Sequence, residues 1–261
     1  MKPIRLSLAA LGLALVCLGC ASVVERPTNV LFQASTINAL LEGVYDGEVT
    51  CGELKRHGDL GIGTFDALDG EMVVVDGEVY QIKVDGLAYP VEDRVGTPFA
   101  SVVFFEADDK RVLSTDEMSL AQIQRRLDEV LPSENLFYAI RIDGVFSHVK
   151  TRSVPRQNKP YPPLADAIKK QAVYEFRDVP GVIVGFRCPK LVEGVNVPGY
   201  HFHFITSDRR AGGHLLECAV QYARVQIDYI PGFHLSLPTR GDFLGLDLTG
   251  AREAELKKVE R

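Results

Sequence analysis

"YHFHFITSDRRAGGHLLEC", residues 200–218, holds three of the chain's six histidines within fourteen positions. Alternate side chains of a β-strand share a face, so His201 and His203 are predicted to point the same way. The polar segment 206–213 predicts a hairpin loop that brings His214 opposite His203. Three imidazoles inside a mostly apolar hairpin need a common cause, because a buried histidine without a partner is costly.

A bound metal is the cause that this spacing favours. Zn²⁺ takes neutral imidazole nitrogens at about 2.0 to 2.1 Å, and a catalytic zinc ion keeps one position open. The scattered cysteines Cys51, Cys188 and Cys218 show no CxxC spacing, which argues against a thiolate cluster or a disulfide framework. The alternative without metal is that each histidine is a partly buried polar residue. The other three histidines are isolated and are predicted to be structural or surface residues: His57, His148 and His234.

Composition and charge exclude several classes of protein. The 261 residues are 46% hydrophobic and 25% charged, which suits one large globular domain or two closely packed ones. A net charge of −6, without a basic run, argues against nucleic-acid binding. The G-x-S-x-G motif of α/β-hydrolases is absent from the sequence, and the glycine-rich stretch 57–65 lacks the order of a phosphate loop.

The N-terminus has the layout of a secretory signal. Lys2 and Arg5 precede an apolar run that ends near Leu18 and is short for a membrane span. Two processing routes remain open: cleavage before Cys20 with lipidation of its thiol, or cleavage after Ala21. We therefore expect residues 1–20 to be a signal peptide, residues 21–30 to be an exposed leader, and the protein to be exported. Its predicted location is the periplasm, the cell envelope through a lipid anchor at Cys20, or the extracellular medium.

Helix and strand signals alternate along the remaining chain. Ser35 or Thr36 is predicted to cap a helix, and Asp76-Gly77 is predicted to turn a β-hairpin. A capping box at Ser119 and Gln122 predicts another helix. Asp143-Gly144 is predicted to turn a second hairpin. A helix is expected to begin at the prolines 162–163 and to include "QAVYEF" (171–176), and strands are expected to follow it.

These elements predict a mixed α+β protein with two closely packed, sheet-containing subdomains and flanking helices. The subdomains are expected at about 31–155 and 176–261, with the divide near 155–175. The metal site is expected on a β-hairpin of the C-terminal half. The charged tail 250–261 is predicted to be helical or irregular.

Three long segments resemble the bacterial α-acetolactate decarboxylases. They are "LLEGVYDGEVTCGELKRHGDLGIGTFDALDGEMVVVDGEVYQ" (40–81), "AIRIDGVFSHVKTRSVPRQNKPY" (139–161) and "PGYHFHFITSDRRAGGHLLEC" (198–218). The resemblance runs from about residue 30 to the C-terminus. It implies a zinc enzyme that converts (S)-2-acetolactate to (R)-acetoin and CO₂ without thiamine diphosphate. It also implies a place in acetoin and butanediol biosynthesis and a homodimer.

The resemblance also implies which residues act. The zinc ligands of the family fall on the three residues selected above: His201, His203 and His214. Its other active-site residues fall on Thr64, Glu71, Arg152 and Glu260, although Glu253 and Glu255 lie close to Glu260 in the tail. By their chemistry, Arg152 is expected to hold the substrate carboxylate. Glu71 or Glu260 is expected to deliver the proton to the product.

Two other functions fit the histidine spacing. A cupin-like dioxygenase would hold iron or manganese on two histidines, a carboxylate and a third histidine. A non-enzymic exported lipoprotein would use the histidines only to bind zinc. Metal content and acetoin formation distinguish these alternatives from the decarboxylase.

Overall fold

Two β-sheets pack against each other in the computed structural model, which describes residues 28–250 and 252–260. The first strands are β1 Val30–Ala34, β2 Val49–Thr50, β3 Leu60–Thr64, β4 Glu71–Val75, β5 Glu78–Ile82, β6 Ala88–Pro90, β7 Gly96–Thr97 and β8 Ala100–Val103. The later strands are β9 Asp109–Ser119, β10 Phe137–Ser153, β11 Ala172–Cys188, β12 Gly199–Thr206, β13 Gly212–Ile230 and β14 Gly232–Ser236. The helices are α1 Ile37–Leu41, α2 Cys51–Lys55, α3 Leu120–Asp128, α4 Leu164–Ala167 and α5 Glu253–Val259.

The strand order explains how the two sheets are built. The first sheet has seven strands in the order β14-β1-β8-β3-β4-β5-β6. The second has five strands in the order β10-β11-β12-β13-β9, and β10 also pairs with β13, which closes four of these strands into a ring. One buried apolar cluster fills the space between the sheets, and another fills the inside of the second sheet.

The hairpin predicted at Asp76-Gly77 is confirmed and belongs to the first sheet. Both residues have positive φ, 55° and 80°, as the favoured two-residue hairpin turn requires. At the other end of this hairpin, Glu71 is the first residue of β4 and pairs with Thr64, the last residue of β3. The first sheet therefore presents Thr64 and Glu71 side by side.

The histidine hairpin is also confirmed, and it forms β12 and β13. His203 pairs with His214 across the hairpin, as the spacing predicts. His214 pairs on its other side with Arg152 of β10. A side chain at the preceding residue, Gly213, would place its Cβ 2.5 Å from the Arg152 carbonyl oxygen, so glycine permits β10 and β13 to approach here.

The prediction of a second hairpin at Asp143-Gly144 is wrong, because β10 runs straight through both residues. Gly144 pairs with Gly181 of β11 on one side and with Ala223 of β13 on the other. A Cβ at Gly144 would lie 2.7 Å from the Tyr222 carbonyl oxygen. The glycine therefore serves close strand packing rather than a turn.

The helix predicted from the prolines onward is much shorter than expected. Helix α4 covers four residues, a 3₁₀ turn continues it to Lys170, and the predicted helical residues "AVYEF" belong to strand β11. Pairing with β10 along the whole of this segment outweighs its local helical pattern. The other helix predictions are confirmed: Thr36 caps α1, Ser119 and Gln122 form a capping box at α3, and the tail forms α5.

The predicted divide between the sheets, near 155–175, is wrong. Strands β9 and β10 precede that point but belong to the second sheet, while β14 follows it and pairs in parallel with β1 of the first sheet. The reason is that β10 has partners on both edges, β11 and β13, which both lie later in the chain. Each sheet therefore contains strands from both halves of the sequence.

The predicted signal peptide, its cleavage site at Cys20 or Ala21, and most of the predicted leader lie outside the described residues. Strand β1 begins at Val30, the last residue of that leader. Among the helices of the described chain, none is both long and apolar enough to span a membrane.

Candidate metal centre

The three hairpin histidines meet in one buried place between the sheets. Their candidate ligand atoms all lie within 4.8 Å of one another. His201 and His203 come from the same face of β12, and His214 comes from the paired position on β13. His201 Nε2 and His214 Nδ1 are 3.3 Å apart.

This arrangement fits a tetrahedral metal ion. Two nitrogens bound to zinc at about 2.0 to 2.1 Å in a tetrahedron are about 3.3 Å apart, which is the separation of His201 and His214. His203 Nδ1 lies 2.7 Å from the Met72 carbonyl oxygen, to which it donates. That bond leaves the lone pair on Nε2, which is buried without a hydrogen-bond partner among the described residues. A metal ion would supply the missing partner.

The electrostatics of the site keep the imidazoles neutral. Burial lowers the pKa of His201 to about 3, and the charge of Arg152 lowers it further in the same direction. Burial also holds the pKa of His203 and of His214 well below the usual range, and the charge of Arg152 acts in the same direction on both. Neutral imidazoles have the free lone pairs that metal binding requires.

Two carboxyl groups lie beside the histidines. Glu71 Oε2 is 3.7 Å from His203 Nε2, and Glu260 Oε2 is 3.6 Å from His201 Nε2 and 3.9 Å from His214 Nε2. Burial raises the pKa of each carboxyl to about 7, although Arg152 acts in the opposite direction on both. The charge of Glu260 adds to the effect on Glu71. Each carboxyl can therefore hold or release a proton near neutral pH.

Arg152 is the buried cation of the site, with 5% of its surface exposed. Its Nη1 lies 3.6 Å from Glu71 Oε1, and its Nη2 donates to the Val259 carbonyl oxygen at 2.9 Å. Its Nε has no hydrogen-bond partner within the described part of the chain. The guanidinium therefore keeps donors free for an anionic ligand.

Thr64 lies in the wall of the site, where the resemblance places it, but its hydroxyl proton is already engaged. The hydroxyl donates to the Gly70 carbonyl oxygen at 2.7 Å. Gly70 directly precedes Glu71, so this bond holds the turn from which Glu71 projects. The structure therefore gives Thr64 a contact that positions Glu71.

A small cavity of about 40 Å³ joins all of these groups. Its polar end carries the residues predicted from the sequence. Its apolar end was missed by sequence reasoning, because an apolar pattern marks burial without showing what a side chain faces. The apolar wall consists of Ile37, Leu40, Leu68, Phe99, Val154 and Leu164. A larger open groove outside shares His201, His214 and Glu260 with the cavity, so the site is reached past these three residues.

The remaining histidines and tail glutamates lie elsewhere. His57 and His234 pack with Phe32, and His148 faces Glu175. Glu253 pairs with Lys257, whereas Glu255 faces Arg252. Of the three glutamates considered for the tail position, Glu260 is the one that the fold brings to the histidines.

Fold and site together define a mixed α/β protein with a buried three-histidine centre suited to a metal. A profile of the family described as Alpha-acetolactate decarboxylase matches residues 31–250. The chain is 53% identical over 237 residues to an alpha-acetolactate decarboxylase of Methanosarcina mazei, covering 91% of this chain and 82% of that protein. It is 42% identical over 224 residues to the one of Bacillus subtilis strain 168, covering 86% of this chain and 88% of that protein.

Solved structures give the same result. The crystal structure of alpha-acetolactate decarboxylase from Bacillus subtilis strain 168 matches with a TM-score of 0.86 and 40% identity, covering 88% of this chain and 99% of that one. The chain therefore belongs to the alpha-acetolactate decarboxylase family and is a carboxy-lyase. This confirms the predicted mixed α+β fold and the predicted enzyme class, and it contradicts both the dioxygenase and the non-enzymic alternative.

Proposed function

We propose that this enzyme is zinc-dependent and converts (S)-2-acetolactate to (R)-acetoin and CO₂, as a step of acetoin and butanediol biosynthesis. The observation that carries the proposal is the convergence of three neutral imidazoles in a cavity that also holds Arg152 and two carboxyl groups. Zn²⁺ held by His201, His203 and His214 would supply Lewis-acid stabilisation for the ketone and hydroxyl oxygens of the substrate.

Arg152 is proposed to bind and orient the substrate carboxylate. A planar guanidinium matches a carboxylate through two parallel charge-assisted hydrogen bonds. Arg152 lines the cavity, is anchored by the Val259 carbonyl, and its Nε has no hydrogen-bond partner among the described residues. Holding the carboxylate fixes the bond that breaks, in which the carboxylate leaves as CO₂ and its bonding electrons remain on the substrate as an enediolate.

Glu71 and Glu260 are proposed as the proton sources. The enediolate carbon must gain one proton to become acetoin, and a carboxyl with a pKa near 7 can carry that proton at neutral pH. Both carboxyls have fixed places beside the histidines, so a proton from either reaches one face of the carbon. Delivery to a single face gives a single enantiomer of the product. Thr64 is proposed to hold Glu71 in place through Gly70.

The apolar wall supports the same substrate. Leu40, Phe99 and Leu164 line the same cavity as the polar groups, and the two methyl groups of acetolactate would be buried against them. The same side chains exclude water from the site, which strengthens the charge interactions within it.

The decisive experiment measures metal content and acetoin in the same sample. Purified protein is assayed with (S)-2-acetolactate before and after chelation, the product is resolved by chiral chromatography, and zinc is quantified. We expect about one zinc ion per chain, (R)-acetoin as product, loss of turnover on chelation and recovery when zinc returns. Turnover that survives complete removal of the metal would contradict zinc dependence.

We propose further that the protein is exported and that it forms a homodimer. Support for export is the signal-like sequence with Lys2, Arg5 and the apolar run that follows. Cell fractionation combined with mass spectrometry of the mature N-terminus tests this. A lipid-modified Cys20 would identify a membrane-anchored form, an N-terminus at Ser22 would identify the released form, and a chain that retains Met1 in the cytoplasm would contradict export. Light scattering of the purified protein tests the dimer.

A further inference from the structure

Residues 259–260 contribute backbone groups to the candidate metal centre in addition to the Glu260 carboxylate. Glu260 is the C-cap residue of helix α5, and the carbonyl oxygen of the last helical residue, Val259, accepts a hydrogen bond from Arg152 Nη2 at 2.9 Å. The main chain of Glu260 also provides a hydrogen bond that raises the pKa of His214, in opposition to burial. The C-terminal backbone therefore touches the cation of the site and one of its imidazoles.

This part of the chain is fastened to helix α1. The Asn38 side-chain amide donates to the carbonyl oxygens of Leu248, at 3.0 Å, and Gly250, at 3.3 Å. Arg252 forms an ion pair with Glu42, the residue that caps the C-terminus of α1, and its Nη1 lies 3.4 Å from Glu255 Oε2. We call residues 248–250 and 252–260 the C-terminal clasp.

The two fastened elements border the same cavity. Ile37 and Leu40 of α1 line its apolar end, whereas Glu260 of the clasp lies at its polar end. Leu256 and Val259 are buried in one apolar cluster with Ile37 and Leu40. Contacts between Asn38 or Glu42 and the clasp therefore fix the distance between the apolar wall and the histidines.

We infer that docking of the C-terminal clasp on α1 assembles the metal centre, with Asn38, Glu42 and Arg252 as positioning residues. If the clasp is released, Arg152 loses its hydrogen bond to Val259 and the Glu260 carboxylate leaves the histidines. Groups that support metal ligands in this way typically change metal affinity about 10- to 100-fold. The inference rests on the metal binding of the proposed function.

The test compares two alanine variants on the same stretch of chain. Arg252→Ala removes the ion pair with Glu42, and Lys257→Ala removes an exposed ion pair with Glu253 that faces solvent. The zinc dissociation constant is measured by competition with a chromophoric chelator. We expect it to rise about 10-fold or more in Arg252→Ala and to stay within about twofold of wild type in Lys257→Ala.

Two further measurements separate positioning from general stability. The charge-reversed pair Glu42→Arg with Arg252→Glu should restore most of the lost affinity, since it restores the contact. The visible spectrum of the cobalt(II)-loaded protein reports ligand geometry and should change in Arg252→Ala. Where Arg252→Ala lowers Tm below the range of the assay, Asn38→Asp replaces it, because the carboxylate cannot donate to the two carbonyls.

The outcomes distinguish this inference from the proposed function. A wild-type chain that binds neither zinc nor cobalt contradicts the metal centre itself. A wild-type chain that binds zinc, together with an Arg252→Ala variant of unchanged affinity and cobalt spectrum, overturns the role of the clasp. Failure of the charge-reversed pair to restore affinity overturns it as well.

Discussion

The molecule contains two groups of histidines, and only one of them forms a site. His201, His203 and His214 meet with ring centroids 5.0 to 5.2 Å apart. His203 and His214 are buried, and His201 is partly buried, with 10% of its side chain exposed. His57 and His234 lie 6.0 Å apart in the first sheet region, where the ring of His57 stacks on Phe32 at 3.9 Å.

Residue types alone do not separate the two groups. Arg152 and Glu71 accompany the first group, while Arg56 and Glu53 accompany His57. In the first group, strand register aims the nitrogens at a shared point. In the second group, the ring faces of His57 and Phe32 are in contact, and the His57 Nε2 lies 3.1 Å from Glu53 Oε1. Register and burial, rather than composition, bring three histidines to one point that could hold a metal ion.

The largest expected effect comes from removing one converging imidazole. His203→Ala should abolish zinc retention and lower kcat/KM by more than about 1,000-fold, because Lewis-acid stabilisation is worth several kcal/mol. Zinc analysis and the acetoin assay measure both effects. His234→Ala, from the other group, is the control and should behave as wild type. A folded His203→Ala variant with normal turnover would remove the distinction between the groups.

Next in size is the loss of an acidic proton. Glu71→Gln or Glu260→Gln should retain zinc and lower kcat about 100- to 10,000-fold, with the greater loss identifying the proton donor. Glu53→Gln, beside His57, is the matched control and should leave kcat unchanged. Chiral analysis of the remaining product adds a second readout, since a misplaced proton gives mixed enantiomers. Near-normal kcat in both active-site variants would contradict the acid role.

A smaller effect is expected from changing the shape of the cation. Arg152→Lys should keep zinc bound but lower kcat/KM about 10- to 100-fold, because a point charge cannot form two parallel hydrogen bonds with a carboxylate. Arg56→Lys provides the same change beside His57 and should have no effect on turnover. Equal turnover of Arg152→Lys and wild type would show that the guanidinium geometry is unimportant.

The smallest effect concerns stability in the second group. Burial and then Arg56 lower the pKa of His57 from 6.5, so the unfolded chain binds more protons below that pH. The contribution of His57 to stability is therefore present above about pH 6.5 and is lost as the pH falls. His57→Phe keeps the ring stack without this titration and should change the free energy of unfolding by less than about 1 kcal/mol. Urea unfolding of the variant and of wild type at pH 7.5 and pH 5.5 measures this free energy. A loss of zinc in His57→Phe would contradict the separation of the two histidine groups.

Sequence reasoning predicted which residues of the candidate site lie together better than it predicted the path of the chain around them. The H-x-H spacing and the length of the polar loop determine which residues face each other in the hairpin. The pairing of His203 with His214 therefore follows from local sequence information. The same logic failed at Asp143-Gly144, where a strong local turn signal gave way to two neighbouring strands. The helix expected at "QAVYEF" failed for the same reason. Neighbours far away in sequence decide such cases.

The contacts around the candidate site could not be predicted from local sequence patterns, because they join elements that are far apart in the chain. Family resemblance singled out Glu260 as a candidate, and the fold places it beside the histidines. The hydrogen bond of Arg152 to Val259, by contrast, depends on how the tail docks. The engaged hydroxyl of Thr64 and the apolar wall also depend on contacts between separate elements. Such contacts leave no periodic signal in a single sequence.

The hydrogen bond from Arg152 to Val259 has a consequence for how the site tolerates mutation. Its acceptor is a main-chain carbonyl oxygen, which every amino acid provides at position 259. A change of the Val259 side chain therefore alters the packing around it but leaves the acceptor in place. The anchor of Arg152 is protected from substitution at the residue that supplies it, and only a shift of the backbone can remove it.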